Sequence, residues 1–178
     1  MGVSVDSPVV KDFMAKLPKN AMEIADKIFD EELEKSLAVV SGMSSLLQKV
    51  DAHGHHQMCV ASNSSLEYLQ QNLKQTALDI YFNERVYSAK QVPRPKPDPD
   101  LFLYAAEQSG YSPEHCLVVE DSVAGITAAK NAGMTVVGFM GGKHVNLTVR
   151  NRIQSAQANH YCASAAELEQ LIFNFNSF

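Results

Sequence analysis

The chain is 178 residues long with 46% hydrophobic residues, enough for one domain with a substantial core. Its formal net charge of -5 argues against a nucleic-acid partner, because phosphate backbones attract clustered Lys and Arg. No apolar run approaches the length of a membrane span, and the start MGVSVDSPVVKDF has neither the basic nor the apolar region of a secretory signal, so a cytoplasmic protein without a membrane partner is expected.

In chain order, Ser7 and Pro8 open an expected helix through Leu17, with Val9, Val10, Phe13, Met14 and Leu17 as its stripe. A second helix is expected over Asn20–Val39 and a short one over Met43–Val50, followed by a loop from Asp51 to His56. From there strands and helices alternate. Strands are expected at Met58–Ala61, Arg85–Ser88, Cys116–Val119, Thr135–Phe139 and His160–Cys162. Helices are expected at Leu66–Lys74, Pro99–Ser109, Val123–Ala132 and Ser164–Phe173. Such alternation means an α/β fold with a parallel sheet. The first 50 residues are expected to be helical, lack this alternation and belong to something other than the sheet. Cys59, Cys116 and Cys162 are odd in number and widely spaced, which reads as buried, reduced thiols.

Ligands of such sheets gather beyond the carboxyl ends of the strands, so those ends carry the functional argument. One runs Ala61-Ser62-Asn63-Ser64, where a hydroxyl and the following amides suit either a helix cap or a phosphate oxygen. Another leads to RPKPDPD, where Pro95 and Pro97 restrict the backbone on both sides of Lys96, Asp98 is expected to cap the next helix, and Pro99 fits its first position. A third ends in Glu120-Asp121. Capping accounts for one acid, whereas a carboxylate at the end of a buried strand needs a partner, either an ordinary ion pair or a hard divalent cation. A hydroxyl, an ammonium and paired acids at three strand ends together describe a site for phosphate and Mg²⁺. His53, His55 and His56 read as a solvated loop with adventitious metal binding as the alternative. His115 and His144 read as isolated surface residues, although Gly141–His144 follows a strand on the active edge and has a substrate-side role as its alternative.

The series VASNS, RPKPDPDLF and LVVEDSVAGITAAKNAGM resembles motifs two, three and four of the haloacid dehalogenase superfamily, most closely its β-phosphoglucomutase-like phosphatases and mutases. The resemblance covers Gly42 to Phe173. It implies a Rossmann-like parallel sheet with flanking helices over residues 42–178 and a partial N-terminal helical cap over 1–41. It also implies that Ser62 and Asn63 bind the phosphoryl group, that Lys96 neutralises its oxygens and orients the nucleophile, and that Asp121 ligates Mg²⁺ with support from Glu120. The implied activity is Mg²⁺-dependent hydrolysis of a small phosphorylated metabolite such as a sugar phosphate. A sugar-phosphate mutase and a non-catalytic phosphate-binding or interaction protein are the alternatives.

The family's first motif, an apolar strand ending Asp-x-Asp-Gly-Thr with the nucleophile as its first Asp, does not occur in these 178 residues. Asp98-Pro99-Asp100 has the Asp-x-Asp spacing but sits inside the third motif and follows no strand. The expectation is a chain that begins within the cap, is inactive alone, and has a slot where the first strand would lie in mid-sheet. Open sheet edges of that kind favour self-association.

Overall fold

Short apolar runs separated by capped helices build the described part of the molecule. The computed structural model describes residues 37–174, so the expected helix at Ser7–Leu17 and nearly all of the expected cap lie outside the described residues. The described end of the second expected helix, Leu37–Val39, is not helical.

Helix α1 spans Met43–His53, three residues longer than expected, because the chain turns only at Gly54, which adopts the left-handed conformation (φ 71°) that glycine tolerates best. Strand β1 is Val60–Ser62, α2 is Leu66–Gln75, the short α3 is Asp79–Phe82, and β2 is Val86–Ser88. Helix α4 covers Asp100–Ser109, β3 Leu117–Glu120, α5 Val123–Asn131 and β4 Thr135–Phe139. Helix α6 covers Leu147–Ser155, β5 His160–Cys162 and α7 Ala165–Asn174. The caps are chemical as well as geometric. Ser65 Oγ accepts from Tyr68 N–H at 3.3 Å, Ser122 Oγ from Gly125 N–H at 3.0 Å, and Asn146 Oδ1 from Val149 N–H at 3.0 Å.

Every strand pairing is parallel. β1 pairs with β2, bringing Ser62 opposite Ser88, and β3, β4 and β5 form a separate sheet with β4 in the centre. One apolar layer packs Phe102, Ala129 and Ile153, from α4, α5 and α6, against Val136. The opposite layer packs Leu46 of α1 and Leu168 of α7 against Val137 and Phe139. Helices on both faces of a parallel sheet are the expected α/β class.

Among the described residues, neither the free edge of β1 nor the free edge of β3 carries a partner strand. Val60 N–H donates to Arg85 C=O on the β2 side, so by strand alternation the Ala61 carbonyl turns the other way. Ala61 and Val119 line one cavity between the two sheets, and Val119 is 41% exposed although its neighbour Val118 is buried.

The thiols, all expected to be buried, depart from that expectation at two of three positions. Cys162 is buried, and desolvation pushes its pKa up to about 11, leaving it unreactive; Cys116 is intermediate, whereas Cys59 is exposed.

Candidate functional site

The cavity between β1 and β3 has a volume of about 390 Å³ and is lined by Ser62, Asn63, Lys96, Glu120 and Asp121 together with Val119 and Phe139. The structure therefore brings together the five residues expected at a phosphate and metal site, whereas the histidines and cysteines do not line this cavity. The five come from three strand ends, as the parallel topology requires: Ser62 closes β1, Glu120 closes β3, and Lys96 arrives on the loop between β2 and α4.

Lys96 and Glu120 form the floor. Both side chains are about nine-tenths buried, and Lys96 Nζ makes a close ion pair with Glu120 Oε1. The ammonium also donates to the Ala61 carbonyl at 2.9 Å and lies 4.4 Å from the Phe102 ring centroid. The second Glu120 oxygen accepts from Ser122 Oγ at 3.0 Å. Ser122 thus bonds in both directions, accepting from the Gly125 N–H to cap α5 and donating its own proton to Glu120. The buried carboxylate is fully engaged through Lys96 and Ser122, which is the ordinary ion-pair reading of its position.

Asp121 is different. Its side chain is half exposed at the cavity rim, and its Oδ2 lies 3.5 Å from His144 Nε2. His144 is exposed as expected, but it is not isolated. A Cβ on Gly142 would lie 2.7 Å from His144 Cε1, so that glycine leaves room for the ring beside Asp121.

The lysine loop is held from two sides. Asn63 Oδ1 accepts from Lys96 N–H at 3.1 Å and Asn63 Nδ2 donates to Lys96 C=O at 3.3 Å. Arg94 donates two bonds to Asp100, at 2.7 and 3.1 Å, and its guanidinium also reaches Asp98 at 3.3 Å. The hydrogen bonds from Arg94 hold the Asp100 carboxyl below the usual carboxylate range. This corrects the expected cap: Asp98 faces Arg94, Pro99 occupies the N-cap position, and α4 starts at Asp100 with no side-chain cap bond.

Ser88 carries a role the sequence reading missed. Fully buried on β2, it donates to the Ser64 carbonyl at 2.7 Å and accepts from Lys90 N–H at 3.2 Å, fixing the Ser62–Ser64 turn from behind. Ser88→Ala leaves a buried carbonyl without its donor and is expected to cost about 1–2 kcal/mol. Urea unfolding measures this, and an unchanged midpoint would contradict the assigned role.

For a divalent ion, Asp121 offers an exposed carboxylate at the rim, whereas the Glu120 charge is matched by Lys96. One protein carboxylate with water and a substrate phosphate completing the shell would suit Mg²⁺, which dehydrates reluctantly, and Asp121 is the residue here that could offer it. Among the described residues there is no group of three or more His, Cys, Asp and Glu disposed to hold a metal. That includes His53, His55 and His56, whose rings instead pack on one another, with His53 also against Phe173.

Known proteins give these observations a context. Residues 1–139 match the family model for haloacid dehalogenase-like hydrolases. A 6-phosphogluconate phosphatase of Escherichia coli is 34% identical over 118 residues, 66% of this chain and 50% of the relative. The chain spans about half the length of the curated relatives it matches. A haloacid dehalogenase-like protein of Agrobacterium tumefaciens superposes with a TM-score of 0.81 at 33% identity, covering 95% of this chain and 75% of that one. A HAD family hydrolase of Deinococcus radiodurans, solved with bound phosphate and sodium, superposes with a TM-score of 0.78 at 28% identity, covering 88% and 68%.

Proposed function

The chain belongs to the haloacid dehalogenase-like hydrolases, and from that membership we propose that its cavity is the phosphoryl-binding half of a Mg²⁺-dependent phosphatase acting on a small phosphate ester such as a sugar phosphate. The observation that carries this reading is the meeting of Lys96, Ser62 and Asp121 at one cavity of metabolite size. The Lys96 ammonium, held in a direction fixed by its loop, neutralises charge building on the phosphoryl oxygens. The Ser62 hydroxyl donates to another of those oxygens, and Asp121 holds the ion at the rim. Bound Mg²⁺ supplies Lewis-acid stabilisation of the same oxygens. The phosphatase name of the Escherichia coli relative and the phosphate bound in the Deinococcus radiodurans structure support the substrate class.

Covalent phosphoryl transfer in this reading needs a carboxylate nucleophile, and these 178 residues hold no Asp-x-Asp-Gly-Thr. The chain by itself is therefore expected to bind inorganic phosphate in the presence of Mg²⁺ without hydrolysing generic phosphate esters above blank. Calorimetric titration and a phosphate-release assay test the two halves. Failure of Lys96→Ala to weaken phosphate binding would remove the site assignment. Turnover abolished by Asp121→Ala would overturn the expected inactivity and identify a nucleophile elsewhere in the chain.

A further inference from the structure

We propose that Asn63 is a positioning residue for Lys96, clasping the lysine's main chain rather than contacting the anion. The inference rests on the reading of Lys96 as the cation that meets the phosphoryl group. A carboxamide presents one acceptor and one donor edge, and Asn63 spends both on a single residue: Oδ1 on Lys96 N–H at 3.1 Å, Nδ2 on Lys96 C=O at 3.3 Å. Such reciprocal pairing fixes both the position and the rotation of that peptide segment, which neither bond does alone. It is needed there because Pro95 and Pro97 have no N–H to anchor the loop through their own amides. The Arg94 bonds to Asp100, with Asp98 alongside, close the same loop at its ends. Between these holds the Lys96 side chain runs inward to Ala61 C=O and Glu120, and only about a tenth of it remains exposed. Asn63 itself is exposed, so removing its amide opens no core. Its contribution is the placement of a charge that enters the cavity 33 residues further along the chain.

The clasp makes two measurable statements about the full chain. Limited acetylation read by mass spectrometry reports the accessibility of the Lys96 amine, with exposed Lys90 as internal reference. Wild-type Lys96 is expected to be protected, and Asn63→Ala is expected to raise its modification several-fold relative to Lys90. Asn63→Asp keeps the acceptor for Lys96 N–H, loses the donor to its carbonyl, and is expected to give intermediate protection, which serves also if the alanine variant folds poorly. Equal Lys96 modification in wild type and both variants would overturn the proposal. In calorimetric titration with inorganic phosphate and Mg²⁺, Asn63→Ala is expected to weaken binding about tenfold, the equivalent of one misplaced charge-assisted contact. The double variant Asn63→Ala/Lys96→Ala should then bind no more weakly than Lys96→Ala alone, because a clasp has no effect without what it holds. Additive losses would mean that Asn63 touches the anion directly and would overturn the proposal. If Lys96→Ala leaves phosphate affinity unchanged, the functional reading fails, and the acetylation result still decides whether Asn63 positions the lysine.

Discussion

Gly125→Ala is expected to destabilise the protein by about 2–4 kcal/mol, against the usual preference of helices for alanine. A Cβ at this position would lie 2.0 Å from Glu120 Cδ and 2.0 and 2.3 Å from its two carboxylate oxygens. The end of a free glutamate side chain would swing aside at little cost. This one is buried, ion-paired to Lys96 and bonded to Ser122, so moving it separates a buried charge pair. Breaking such a pair costs about 3–5 kcal/mol, and the gain in helix propensity on losing a glycine returns only about 1 kcal/mol. Electrostatics therefore outweighs propensity. The decisive measurement is a double-mutant cycle by urea unfolding. In a Glu120→Ala background the clash partner is gone, so Gly125→Ala should become neutral or stabilising by up to about 1 kcal/mol. A Gly125→Ala protein more stable than wild type would mean that Glu120 has room to move.

Legibility of the fold followed periodicity. Thr135–Phe139 and His160–Cys162 appear with the bounds read from the sequence, and the other strands and most helices shift by one or two residues. Helix α6, LTVRNRIQS, was not anticipated, because Ile153 is its single buried residue and no apolar stripe marks it. The four-residue α3 is too short to carry a period at all. In the site, Ser62, Lys96, Glu120 and Asp121 were legible because parallel topology gathers strand ends. The bonds that hold them were not. Ser88 reaches Ser64 across 24 residues and Asn63 reaches Lys96 across 33, through side-chain bonds to main chain that leave no periodic trace. Asp98 illustrates the competing local rule: a residue well placed to cap a helix faces Arg94 instead, four positions earlier.

The same topology leads to the expected result with the largest functional consequence. A synthetic peptide with an apolar strand ending in Asp-x-Asp-Gly-Thr is expected to bind between β1 and β3, raise the melting temperature by about 5–10 °C at saturation, and bring phosphatase turnover above blank. The thermal shift follows from linkage. Peptide at one hundred times its Kd stabilises the folded form by about 2.7 kcal/mol, and each kcal/mol moves a domain of this size by about 2–4 °C. Binding is favoured because both facing edges lack a partner strand among the described residues, and an unpaired buried amide or carbonyl costs about 1–3 kcal/mol. Lys96 connects this to function. Its ammonium now occupies the Ala61 carbonyl, an acceptor on the open edge of β1 that an inserted strand would take for its own amide. Insertion would therefore release one bond of the ammonium next to the arriving carboxylate, which under the proposed function would serve as the nucleophile. A control peptide with both Asp replaced by Asn should keep the thermal shift and lose the turnover, separating strand pairing from chemistry. A labelled peptide that fails to bind, or binds without changing the melting temperature, would show that the space between β1 and β3 is not a strand site.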